Sequence, residues 1–381
     1  MATMSLSAAL LAVTFFLTSL SVKQIAKEWQ QSWKTPPFRI YFIVSFFLML
    51  ACAISLLNAK ISPLTFGGLS SQIHFFKDLS KTWYLFWPLL LVLGLKRLSS
   101  SDHKFILHTW LGAFAIMSII GIVQHYTGWP RPQQIPYENR YHATLFLGHH
   151  LSVASILIFP FFAALEFTRR FRNDKNKRIL YGTITLLGGI TLLLTYSRTL
   201  WIALPCGLIL WTFLSLSKKW KLISSGIAIA GLLAASQIPF ISHHIFDSRG
   251  LGTRQQLWST NLEFFKQRPW FGVGLRHNQE LSGYYLMDLF KSQDVFSGHA
   301  HNNLIDMLGG IGGVGTLCWV AWCLCIFYLF LRKKGPSELI QLKRAFLCAW
   351  VVFQINGLTQ LNFWEAKVQH QLAWVIAWAL L

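Results

Sequence analysis

A chain of 381 residues that is 54% hydrophobic and 13% charged, with a mean hydropathy of +0.45, is too apolar for an ordinary soluble domain. Its net charge of +20 would suit a nucleic-acid binder, but the basic residues are spread over short loops between apolar runs rather than gathered on one soluble face. What remains is an all-α polytopic membrane protein, with membrane lipids as its surroundings and no nucleic-acid partner.

Hydrocarbon about 30 Å thick takes roughly 20 apolar residues per helix, and the runs predict about eleven spans, in a range of about ten to twelve. In chain order they fall at 5–22, 38–57, 82–95, 105–125, 146–166, 179–195, 199–217, 222–240, 303–331, 345–361 and 366–381. The first reads as a span rather than a signal peptide, because no small-residue cleavage site follows it and its positive flank is C-terminal. Three regions result within one integrated membrane domain: N-terminal spans over 1–240, a long loop over 241–302 and C-terminal spans over 303–381.

Alternate loops carry the positive charge. Lys23, Lys27, Lys34 and Arg39 come first, followed by Lys96, Arg97 and Lys104, then Arg169, Arg170, Arg172, Lys175, Lys177 and Arg178. Lys218, Lys219 and Lys221 belong to the same set, as do Arg332, Lys333, Lys334, Lys343 and Arg344. This side is cytoplasmic by the positive-inside rule, and segments 58–80, 126–145, 196–198, 241–302 and 357–369 face outward. All six cysteines lie inside predicted spans, as apolar filler rather than a disulfide or thiolate framework. No internal repeat suggests a transporter's duplicated halves.

Polar chemistry gathers on the outward side. In LLLTYSRTLWIAL, residues 192–204, only Tyr196, Ser197 and Arg198 interrupt two apolar segments, which holds Arg198 at the bilayer surface as a snorkelling anchor or an anion contact. From Thr253 to Gln267 the pattern is helical, with Arg254, Trp258, Asn261 or Leu262, and Phe265 on one face. Such a helix would lie in the interface, with Trp258 and Phe265 in the headgroup boundary and Arg254 at phosphate depth. Arg268-Pro269 and the glycines at 272 and 274 end it, and Arg249 and Arg276 flank it.

The stretch SGHAHNNLIDMLGG, residues 297–310, then sets His299 and His301 against the start of a long span. Neither a third ligand at zinc spacing nor an H-E-x-x-H motif accompanies them, so no metal and no cofactor is expected. One imidazole suits a structural bond to a carbonyl, the other a general base. GGIGGVG at 309–315 has the G-x-G-x-x-G spacing, but with no strand before it the glycines predict close helix packing rather than phosphate binding. Arginines and a candidate base beside a bilayer fit a lipid-linked diphosphate, whose leaving group needs its charge neutralised more than it needs a proton.

TYSRTLW at 195–201, RQQLWSTNLEFFKQRPWFGVGLRHN at 254–278 and HAHNNLIDMLGGIGGVG at 299–315, in that order, resemble the O-antigen ligase superfamily over roughly residues 190–320. The resemblance implies a GT-C-like fold whose long periplasmic loop contains amphipathic helices, in a bacterial inner membrane. It implies an undecaprenyl-diphosphate-linked glycan as donor, a lipid A-core hydroxyl as acceptor, and inversion without a metal. Arg198 and Arg254 would bind the diphosphate, with Arg249 and Arg276 as secondary contacts. His301 would activate the acceptor, with His299 as second choice. Tyr196, Trp258, His277, Asn278 and Asn302 would touch sugar or acceptor. The leading reading is a ligase of lipopolysaccharide biosynthesis. A polymerase or a protein O-oligosaccharyltransferase differs only in its acceptor. A lipid-linked glycan flippase would need ionisable groups deep in several spans, and these concentrate at one face instead.

Overall fold

The computed structural model describes residues 22–135, 139–217, 221, 226, 251–292, 294–295 and 297–381. The expected spans 5–22 and 222–240 lie almost entirely outside the described residues, and Arg249 lies wholly outside them. The first half runs α1 (Val22–Trp33), α2 (Pro36–Ile61), a hairpin of β1 (Thr65–Phe66) and β2 (Leu69–Ser70), α3 (Phe75–Leu79), a 3₁₀ turn (Ser80–Leu85), α4 (Trp87–Leu95) and α5 (Ser100–Thr127). Next come α6 (His150–Arg170), α7 (Lys175–Leu194), α8 (Arg198–Ser215), α9 (Leu251–Gln267) and α10 (Asn278–Phe290). The described chain closes with α11 (Asn303–Leu331), α12 (Ser337–Asn356) and α13 (Ala366–Leu380).

Local chemistry sets these boundaries. Pro36 stands at the start of α2, where a missing N–H costs nothing. Ser99 and Asp102 form a reciprocal capping box on α5, and Gly128 at φ 76° ends that helix. Asp174 caps α7 through the N–H of Lys177, and Asn302 caps α11 through that of Ile305.

Among the described residues, six helices are long and apolar enough to cross a membrane: α2, α5, α6, α7, α8 and α11. The expected span at 82–95 resolves into the 3₁₀ turn and the nine-residue α4. At 1.5 Å per residue α4 covers only about 14 Å. Helix α12 has the length but carries Glu338, Lys343 and Arg344 in its first half, and α13 has only 15 residues. The fold is therefore helical and polytopic as expected, with some members shorter or more polar than the hydropathy of their segments suggested.

Helix α6 is the most buried of the six and packs between α7 and α12, while α8 lies on α12, α2 on α11, and α4 on α13. Phe159, Phe162, Trp322, Phe346, Trp350 and Trp374 fill the common core. Loop contacts sort the chain into two faces. On one face Lys96 Nζ donates to Ser32 Oγ at 2.8 Å, Arg97 pairs with Glu28 at 3.6 Å, and Arg170 pairs with Glu338. On the other, Arg268 donates to Ser62 O at 2.9 Å, Ala143 N to Leu194 O at 3.0 Å, and Asn303 N to Gly357 O at 2.8 Å. Among the described residues, the basic loops share the first face and the sequence-predicted site residues the second.

Candidate active site

The loop RPWFGVG, residues 268–274, is built onto α11 by backbone bonds alone. Gly312 takes φ 68° and ψ −173°, which breaks the helix and frees carbonyls and N–H groups that a buried segment must pair elsewhere. Val273 N donates to Gly309 O at 3.1 Å and Gly274 N to Gly310 O at 2.9 Å, while Gly313 N donates to Pro269 O at 2.8 Å and Val314 N to Trp270 O at 3.2 Å. Ser55 Oγ on α2 adds a bond to Gly310 O at 3.1 Å. A Cβ on Gly312 would lie 2.5 Å from the backbone of Phe271 and Gly272, and one on Gly272 2.5 Å from Gly310 O. The GGIGGVG run thus serves close approach of a loop backbone as well as of a second helix.

Helix α9 docks on the same glycine surface. Asn261 is fully buried against Gly309, and Leu257 and Phe264 complete the buried stripe. The expectation of a helix lying in the headgroup layer is corrected here: the glycines of α11 leave a groove that takes α9 as protein packing, and the stripe centres one residue before Trp258 and Phe265.

This docking holds the histidine segment by its middle residue. Ala300 N donates to Asp306 Oδ1 at 3.1 Å, and Ala300 O accepts from Trp258 Nε1 at 2.6 Å. Asn278 Nδ2 reaches the same Asp306 oxygen at 3.0 Å and Asn261 Oδ1 at 2.7 Å. With the Ala300 backbone engaged on both sides, the imidazoles of His299 and His301 lie together, ring centroids 4.1 Å apart. His301 adopts φ 48°, left-handed and strained for a side chain of its size, directly before the Asn302 cap. Among the described residues its Nδ1 is buried without a hydrogen-bond partner, as are Asn278 Oδ1 and Tyr84 Oη. Buried polar atoms of this kind are uncommon in a folded chain and mark a place where a ligand atom would be stabilised.

Burial first, then the neighbouring charges of Arg254 and His149, pulls the His301 imidazole down to about 4. Burial, His301, His149, Arg276 and Arg254 together pull His299 down to about 3. Both rings are therefore neutral near pH 7 and able to accept a proton. Arg254, half-buried on the first turn of α9, is lowered by burial and by Arg198, which places those two guanidinium groups within electrostatic reach of each other. It stays protonated, since arginine cannot lose its proton in a protein. Arg276 acts on His299, Asp306 and Glu365. Arg254 and Arg276 thus lie within electrostatic reach of the histidines, and Arg198 within reach of Arg254.

Tyr196, at φ 55°, stacks on His125 with centroids 5.9 Å apart and meets His142 edge-on at 5.6 Å, beside Arg198 at the start of α8. Trp258 and Asn278 hold the histidine backbone as described. Asn302 spends its Nδ2 on Leu358 O at 2.8 Å, and the His277 ring is bonded to Asp78 and Ser71.

Two residues unassigned from sequence share the site. His149 reaches both His299 and His301 electrostatically, as well as Glu365, whose carboxyl burial pushes above its ordinary range. The sequence signal for His149 was GHH at 148–150, indistinguishable from an interfacial histidine until α6 is placed. The segment 356–364 also joins two helix starts, α8 and α11: Asn356 accepts from Ser197 Oγ at 3.2 Å, Thr359 meets Thr199, and Asn362 bonds Asn303 at 2.7 Å.

The fold and site define a polytopic helical membrane protein with a cationic, histidine-bearing site at one face. Residues 183–320 match the family described as O-antigen ligase. The matched segment contains Arg198, Arg254, Arg276, His299 and His301. It marks the chain as a membrane enzyme of the glycosyltransferase type, with lipid-linked glycans as its general substrate class. No curated protein matches the chain.

Proposed function

We propose that the chain is an inverting O-antigen ligase, transferring polysaccharide from undecaprenyl diphosphate to a hydroxyl of lipid A-core. The observation that carries the reading is the grouping of Arg254 and Arg276 around the neutral pair His299 and His301, with Arg198 within electrostatic reach of Arg254. His301 takes the proton of the acceptor hydroxyl, and the acceptor oxygen attacks the anomeric carbon from the face opposite the diphosphate. The bond from that carbon to the phosphate oxygen breaks, and undecaprenyl diphosphate leaves with the electron pair. Its charge is taken up by guanidinium groups that bind phosphate oxygens in a bidentate fork. An acidic leaving group of this kind needs neither a general acid nor a Lewis acid. The positive-inside pattern supports a site on the periplasmic face of the inner membrane, where the donor's glycan would be exposed.

The test mixes purified protein with undecaprenyl-diphosphate-linked glycan and lipid A-core in the presence of chelator. Glycan-modified lipid A that is lost in His301→Ala supports the ligase. Lengthening of the lipid-linked glycan itself would show that the same site serves a polymerase.

A further inference from the structure

Arg276 is flanked by a residue held by groups that the proposed chemistry does not use. Its φ of 64° is left-handed, strained for any residue with a Cβ, and it follows the backbone clasp at Gly274. The next residue, His277, is buried and engaged on every side. Its N–H donates to Gly274 O at 3.0 Å, its Nε2 donates to Asp78 Oδ2 at 3.0 Å, and its Nδ1 meets the Ser71 hydroxyl. Ser71 Oγ also donates to Glu280 Oε2 at 2.6 Å, and the other Glu280 oxygen accepts from Tyr284 Oη at 2.7 Å. Asp78 is tied in turn to Lys81 Nζ at 2.8 Å and to His74 N at 3.0 Å. A continuous chain thus runs from the segment 71–81 to α10 through the residue beside Arg276.

Ser71, His277 and Asp78 have the composition of a hydrolytic triad, but hydrogen counting gives them another role. A serine hydroxyl has one hydrogen, and an ionised carboxylate only accepts. The Ser71 hydrogen bond and, against the opposing effect of burial, the Tyr284 bond hold the Glu280 carboxyl below its ordinary range, so it is ionised and takes the Ser71 hydrogen. His277 Nδ1 must then donate to Ser71 rather than accept from it. With its one hydrogen spent on Glu280, Ser71 has none to pass to His277, so the chain is a clamp and not a nucleophile with its base.

We propose that Ser71, Asp78, His277 and Glu280 form a positioning network that fixes Arg276 against the donor's diphosphate. The proposal rests on the reading of Arg276 as a donor contact. A merely structural network would be felt in stability and turnover alike; one acting through Arg276 is felt in donor affinity and vanishes when Arg276 is removed.

The experiment measures donor KM, kcat and thermal unfolding of the full chain in nanodiscs, with undecaprenyl-diphosphate-linked glycan as varied substrate and lipid A-core saturating. Arg276→Ala, Asp78→Asn, His277→Gln and Glu280→Ala are compared with the double variant Arg276→Ala/Asp78→Asn. Each single change is expected to raise donor KM about tenfold with kcat nearly held, as for members of one hydrogen-bonded network, and Asp78→Asn to add nothing on Arg276→Ala. Glu280 lies exposed at the end of the chain, so Glu280→Ala keeps the test open should a buried variant fail to fold. An unchanged donor KM in the network variants, beside a raised one in Arg276→Ala, would overturn the network. So would full additivity in the double variant. Wild-type donor KM in Arg276→Ala itself would instead remove Arg276 from the donor site and overturn the reading beneath.

Discussion

Burial and the charges around it lower His301 from 6.5 to about 4, and that shift has a sign in both activity and stability. Between those two values the folded chain binds fewer protons than the unfolded chain. The contribution of this site to stability is complete above about pH 6.5 and declines as pH falls toward about 4. Thermal unfolding followed across that range is expected to show a falling midpoint, with a shallower fall in His301→Ala. In activity, kcat/KM reports the free enzyme, so its acid limb is expected near pH 4. The limb of kcat should lie higher, because a bound diphosphate offsets the field of Arg254. Coincident limbs near 6.5 would show that the buried imidazole is not the base. Loss of the base in His301→Ala is expected to cost roughly 10²–10⁴ in kcat with donor binding kept, as equilibrium binding of labelled donor would check. Arg198→Ala and Arg254→Ala remove charge-assisted contacts of about 1.5–3 kcal/mol each, and donor KM should rise accordingly.

Secondary-structure boundaries in this chain follow local chemistry that the sequence displays openly: Pro36, the Ser99–Asp102 box, Asp174 and the Asn302 cap all stand where their helices begin. The break inside α11 does not, because an apolar glycine run is compatible with a straight helix until a second backbone claims its carbonyls. The clasp at 309–314 carries a direct prediction. Gly312→Ala puts a Cβ 2.5 Å from the backbone of Phe271 and Gly272 at a φ of 68°, where an L side chain is strained. Backbone cannot yield as a flexible side chain can, so the variant is expected to lose about 2 kcal/mol or more and to lower the unfolding midpoint in detergent. An unaltered midpoint would mean that the loop does not depend on this contact. By contrast Gly252→Ala, with nothing within 4 Å of its Cβ among the described residues, should leave the midpoint in place.

Across the whole molecule, the two faces defined by loop contacts predict opposite access to reagents from outside the cell. With native cysteines replaced, Gln267→Cys is expected to react with a membrane-impermeant maleimide in spheroplasts, and Asn176→Cys to react only after permeabilisation. Both positions are exposed, so the reverse pattern would invert the topology. Amino-acid order by itself determined the helical membrane class, the side on which charge collects, and the residue types of the site, because hydropathy, charge and motif spacing are properties of consecutive residues. Tertiary structure alone decided which groups meet. His149, Glu365 and the Ser71–Asp78 segment reach the arginines and histidines only when distant helices pack, and the GGIGGVG run becomes a clasp only when loop 269–274 lies across it. A buried charge or an orphaned carbonyl takes its meaning from the neighbour that satisfies it, and in this chain that neighbour is as far away in sequence as Asp78 is from His277.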